Sequence, residues 1–244
     1  HKKMTFLYEK EQRRQELEES KEQAKLRKKQ AKKQDLRQTI SIREFHQVIK
    51  GVKAKSKYVK ARRIVALYIL YLTGLRVTNL LNLSVGQVNQ LLQQGHTDIA
   101  LIKRGAKRHP IRLAYKGHQL IKDIEEYTTI LGQNKSHGDP IFTPRNVNHE
   151  AISEYTFERE LNNTLTTASR LLNKHMRTHS FRATLITDLL KNEVPIHQVQ
   201  QIMGHQSIGA TLTYNRNSMT IKCIDKQMSK RYQIAAVNDH ESDT

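Results

Sequence analysis

The 244-residue chain holds a single cysteine, Cys223. One thiol can form neither an internal disulfide nor a cysteine-based zinc site, and it fits a reducing, cytoplasmic compartment; its expected role is packing. Long apolar runs are also missing. The longest, IVALYILYLTGL from Ile64 to Leu75, falls short of the roughly 20 residues needed to cross a bilayer, so it reads as a buried helix and no membrane is expected. Acidic charge is scarce: 23 Asp and Glu face 42 Lys and Arg, for a formal net charge of +19 and a pI near 10.0. That surplus points to a polyphosphate partner, with nucleic acid the leading class and anionic lipid the other that charge alone leaves open. No carboxylate cluster and no histidine pair at ligand spacing suggest a metal site. Internal repeats are absent and no signal peptide is visible, while the opening on His1 rather than Met suggests a piece of something longer.

The length is enough for one large or two small domains with a real core. Residues 1–38 mix charges in EKEQRRQELEES and turn strongly basic in KLRKKQAKKQ, so they read as a solvated helical arm or linker. Whether the arm lies along phosphate backbones or merely connects is left even. From Thr39 the texture becomes globular. SIREFHQVIKGV starts like a capped helix, KARRIVALYILYLTGLRVTNLLNL carries helical spacing, and HTDIALIKRGAKRHPIRLAY reads as a β-hairpin with a basic tip around Gly105. HQLIKDIEEYTTIL, EYTFERELNNTLTTASRLLNKH, SFRATLITDLLKN and TIKCIDKQMSK follow as helices. The expected divisions are an arm at 1–38, a folded domain at 39–230 and a tail at 231–244.

Three stretches carry chemistry. In THSFRATLITDLL, His179 and Arg182 stand three apart at a helix start, with Ser180 available as a cap, so both side chains can face one point. In TGLRVTNLL, Arg76 follows a turn-like Thr73-Gly74 inside an apolar segment and needs an anionic partner or an exit to solvent. In MGHQSIGATLTYNR, one continuous helix would set His205 and Tyr214 on opposite faces, nine residues at about 100° each. Pro195 suits a first helical position, Gly204 suits the end of that helix, and a new helix can begin near Ser207, which would swing Tyr214 back toward His205. With Lys103 before the hairpin turn, the set is two arginines, a lysine, two histidines and a tyrosine. Guanidinium forks can pair the non-bridging oxygens of a phosphodiester and neutralise the charge that a metal would otherwise neutralise. A tyrosine can supply the nucleophile once a base takes its proton.

Together these residues resemble the tyrosine recombinases, or phage-type integrases. TGLRVTNLLNL looks like that family's first-arginine motif, HSFRATLI like its His-x-x-Arg motif, and IMGHQSIGATLTY like its Gly-His segment ending in the nucleophilic tyrosine, in the family's order. The resemblance covers approximately Thr39 to Lys230 and implies a mainly α-helical catalytic domain with a small antiparallel β-sheet, an α+β arrangement. It implies that Arg76 and Arg182 clamp the scissile phosphate of double-stranded DNA and that Tyr214 forms a 3′-phosphotyrosyl bond. His179 would aid proton transfer, His205 would hydrogen-bond the phosphate, and Lys103 would protonate the leaving 5′-oxygen, with Lys107 and Arg104 as rivals for that role. No metal, ATP or other cofactor is implied. Two protomers per site and a four-protomer synapse are implied, with the final segment docking on a neighbour. Asn79 departs from the acidic residue common three positions after the first arginine, so support of that arginine can differ. The alternative is a sequence-specific DNA-binding protein on the same fold that has lost catalysis. Type IB topoisomerases and telomere resolvases use similar chemistry. Tyr115 and Tyr155 read as packing or surface, and His109 and His118 as flanking the hairpin.

Overall fold

A computed structural model describes residues 38–101, 107–113, 122–145, 147 and 149–214, with 14, 18–23 and 25–26 of the arm, where 18–23 and 25–26 are helical and exposed. In chain order the elements are α1 (Ile42–Lys50), α2 (Lys57–Thr73), α3 (Val77–Leu81), α4 (Val85–Gln94), β1 (His96–Leu101), β2 (Lys107–Arg112), α5 (Glu125–Gly132), α6 (Glu154–Leu171), α7 (Thr178–Lys191), α8 (Ile196–Ile202) and α9 (Ile208–Leu212). The mainly helical fold with one small antiparallel sheet is the one that the sequence leads us to expect. Cys223, Lys103, Arg104, Tyr115, His118, the helix expected at 220–230 and the tail at 231–244 lie outside the described residues.

Serine sets many of the helix starts. Ser41, Ser56, Ser84, Ser153 and Ser207 each have extended backbone and accept a backbone N–H with the side-chain oxygen, which satisfies one of the donors that a helix start leaves open. Ser41 with Glu44 and Ser84 with Gln87 complete reciprocal capping boxes. Ser180 is not such a cap. Helix α7 begins two residues earlier, with Arg177 in the cap position, and Ser180 accepts the Arg177 N–H from the third helical position at 3.1 Å. Pro195 likewise stands one residue outside α8, as its N-cap.

Helix α2 is buried on nearly every side, from Ala61 through Thr73 with few breaks, and so forms the axis of the core. Helices α5 and α7 pack on it, α1 and α3 pack on α6, and α4 backs the hairpin. The start of the domain is tied down by Phe45, which stacks on Tyr71 at 4.2 Å and meets Tyr68 edge-on, while the Ile40 N–H donates to Thr184 Oγ1 at 2.7 Å. A second, smaller apolar cluster of Ala183, Ile186, Val199, Met203 and Tyr214 holds α7, α8 and α9 together. The sheet pairs β1 with β2 in antiparallel register, Ile99 opposite His109 and Leu101 opposite Lys107. Its inner face, Thr97, Ile99, Leu101 and Ile111, is buried.

Candidate active site

Two helices end in left-handed glycines that turn carbonyls toward one point. Gly74, at φ 63°, caps α2, and its N–H donates to Leu70 O at 2.9 Å. At the end of α8, the Gly204 N–H reaches Gln201 O and the His205 N–H reaches Gln200 O, with Gly204 at φ 60°. This pair of bonds is the Schellman arrangement, which needs a residue that tolerates positive φ and projects the next residue away from the helix. A Cβ on Gly74 would lie 2.8 Å from Met203 Cε, so the two helix ends also touch.

Arg182, on α7 and only 3% exposed, bridges these ends. Its Nη1 donates to Gly74 O at 2.8 Å and its Nη2 to Met203 O at 2.6 Å. Carbonyls at helix C-termini carry partial negative charge and favour a cation. No carboxylate among the described residues joins them, and Nε is buried without a hydrogen-bond partner. Burial first, and then the like charge of Arg76, pull the Arg182 guanidinium down to about 10, against an opposing pull from Tyr214. Arg76 itself is half-buried and caps α3, two residues past Gly74. Asn79, buried in α3, shares with Arg182 the wall of a cavity of ≈ 220 Å³ beneath the hairpin.

The break after Gly204 returns Tyr214 to His205, as the helix-stop reading expects. The two rings stack with centroids 6.1 Å apart and planes at 13°, and His205 Nδ1 is 2.8 Å from Thr211 Oγ1. His179 Nε2 lies 2.5 Å from the Tyr214 hydroxyl, with the rings 6.0 Å apart. Tyr214 is 9% exposed and anchored in the smaller apolar cluster. Arg76, His179, Arg182, His205 and Tyr214 are thus gathered around the ends of α2 and α8. Lys103 lies outside the described residues; Lys107 is the first residue of β2. Tyr155 is exposed at 73%, fitting its surface reading, while His109 does more than flank the hairpin: its ring nitrogen meets Ile202 O. Reasoning on the sequence missed that contact, the Thr211 partner of His205 and both carbonyl acceptors of Arg182. Only Thr211 left a signal, standing six residues beyond His205 in the helix that carries Tyr214 round.

The fold is that of a tyrosine-recombinase catalytic domain. The chain belongs to the phage integrase family, whose model matches residues 38–220. It is 28% identical over 166 residues to the tyrosine recombinase XerC of Rickettsia canadensis (strain McKiel), covering 67% of this chain and 50% of that protein. Among solved structures it is similar to the XerA recombinase, with TM-score 0.57 and 21% identity over 80% of this chain and 65% of that one. It is also similar to the XerH site-specific recombinase in a pre-cleavage complex with its difH substrate, with TM-score 0.56 and 17% identity over 78% of this chain and 53% of that one. The chain spans about half the length of the curated relatives it matches.

Proposed function

We propose that this domain cleaves and rejoins DNA strands in site-specific recombination through a 3′-phosphotyrosyl intermediate. The observation that carries the reading is the Tyr214 hydroxyl, held 2.5 Å from His179 Nε2 beside a buried arginine that no described carboxylate neutralises. The Tyr214 oxygen attacks the scissile phosphorus and gives its proton to a base, for which His179 Nε2 is in reach. A bond forms between phosphorus and the tyrosine oxygen while the bond to the 5′-oxygen breaks. The departing oxygen takes a proton, a role we assign to Lys103 in the hairpin loop. Arg182 and Arg76 neutralise the charge that builds on the non-bridging oxygens, with His205 as a further donor. Attack by a 5′-hydroxyl reverses each step, so the energy of the phosphodiester is conserved and neither ATP nor a metal ion is required.

Residues 39–230 act as the catalytic unit in this reading. Double-stranded DNA is the substrate, bound by a dimer at each site and a tetramer in the synapse, in a DNA-associated, cytoplasmic setting. The test is a nicked duplex incubated with the protein in excess EDTA and resolved under denaturing conditions. A covalent adduct that maps to Tyr214 and vanishes in Tyr214→Phe, with DNA affinity nearly unchanged, is expected. Binding without any adduct would favour the catalytically silent DNA-binding alternative, and strict magnesium dependence would contradict the role given to the arginines.

A further inference from the structure

The last carbonyls of α8 have no partner within the helix, and two of them leave in different directions. Met203 O accepts from Arg182, as described, while Ile202 O lies 3.2 Å from Nε2 of His109, on β2. A carbonyl only accepts, so His109 Nε2 carries the proton in this contact. The hairpin rests on the same turn a second time. A Cβ built on Gly204 would fall 2.7 Å from Leu101 Cδ1 and 3.5 Å from the His109 ring, so β1 and β2 press directly on the backbone that presents His205. Leu101, His109 and Met203 also line one cavity with Arg182.

We infer that His109 is a positioning residue: its bond to Ile202 O latches the hairpin strands to the turn from which His205 and Tyr214 are hung. In the proposed chemistry the proton donor, which follows β1 in the sequence, meets the departing 5′-oxygen while Tyr214 meets the phosphorus on the opposite side, so strands and turn have to be held in one frame. The side-chain bond and the glycine contact supply the frame. The inference rests on the proposed cleavage chemistry but not on whether Lys103 or a neighbour gives the proton.

The experiment compares single-turnover adduct formation on two nicked duplexes, one with oxygen and one with sulfur at the bridging 5′ position, since a thiolate departs without a proton. His109→Ala is expected to slow the oxygen substrate by at least about tenfold, one lost aligned contact's worth, and to approach the wild-type rate on the sulfur substrate, with DNA affinity unchanged. His109→Gln, whose amide N–H can reach the same carbonyl, should retain most of the oxygen rate and covers the case in which the alanine variant folds poorly. Equal slowing of His109→Ala on both substrates, or wild-type behaviour on both, would overturn the latch. Failure of the wild type to form any adduct would instead remove the cleavage reading and the latch with it.

Discussion

Two arginines of this domain are almost equally buried and are kept in opposite ways. Arg62, on α2, donates to Glu160 Oε2 at 2.6 Å and to Thr143 O at 2.8 Å, and Arg63 pairs with the other oxygen of the same carboxylate at 3.0 Å. Arg62 thus has a carboxylate counter-charge inside the protein, shared with Arg63, and it joins α2 to α6. Among the described residues, Arg182 is held by two carbonyl dipoles, with Tyr214 and a second guanidinium nearby and no carboxylate. Dipoles orient a cation without cancelling its charge, so Arg182 is fixed in place and still calls for an anion. The first arrangement builds the fold; the second, in the proposed chemistry, receives a phosphate.

Alanine at each position should separate the two roles most sharply. Arg182→Ala should lower the rate of DNA cleavage by roughly 10²–10³-fold, as when a donor to developing charge is removed. Arg62→Ala should leave cleavage per folded molecule near normal but cost about 3 kcal/mol in chemical denaturation, because Glu160 keeps only Arg63. Equal effects on both measurements would erase the distinction.

The backbone that aims carbonyls at Arg182 gives a smaller effect. Gly204→Ala combines positive φ with a 2.7 Å approach to Leu101, and a loss of about 1–3 kcal/mol in thermal or chemical unfolding is expected. Its cleavage defect should be less than additive with that of Arg182→Ala, since both act on one site. Full additivity would indicate that the turn does not serve the arginine.

Proton linkage sharpens the comparison further. The folded pKa of Arg182, about 10, lies below the ordinary arginine range, so folding disfavours its charged form. The penalty is fully present below about pH 10 and lifts as pH rises from there toward the ordinary arginine range, because the unfolded chain then binds more protons than the native one. A bound phosphate supplies the missing counter-charge and should raise the pKa again. Calorimetry of DNA binding near pH 10, repeated in buffers of different ionisation enthalpy, should show proton uptake by the wild type that is reduced in Arg182→Ala. The smallest effect belongs to Glu44, partly exposed beside Lys174. Burial raises its pKa, but hydrogen bonds from Lys174 and Ser41 outweigh that and leave it lowered. Its contribution is present above the usual carboxylate range and fades as pH falls through the folded value, so Glu44→Gln should slightly flatten the acid limb of stability.

Much of this site was legible in the sequence because local chemistry places it. Gly74 and Gly204 punctuate apolar helices, Ser207 restarts one, and Arg76, His179, Arg182, His205 and Tyr214 follow at distances that helix geometry brings together. Helix α4 was passed over, since VGQVNQLLQQ is rich in amides and its pattern is weak, although Ser84 with Gln87 signals its capping box. The Arg62 pair was not legible at all. Its partner stands 98 residues away, and nothing local in RRIVAL distinguishes a buried arginine from one at the surface. The same holds for the latch, where His109 and Ile202 are 93 residues apart and the acceptor is a backbone carbonyl that no side-chain pattern reports.

The role proposed for Arg182 can be tested at the scissile phosphate itself. Replacing one non-bridging oxygen of the scissile phosphate by a methyl group removes the negative charge while keeping the leaving oxygen and the attacking geometry. Adduct formation by Arg182→Ala should recover on this neutral methylphosphonate relative to the ordinary phosphodiester, by a factor approaching the loss that the substitution caused. An Arg182→Ala variant equally defective on the charged and neutral substrates would contradict the account, because Arg182 would then be serving the fold, as Arg62 does, and not the phosphate.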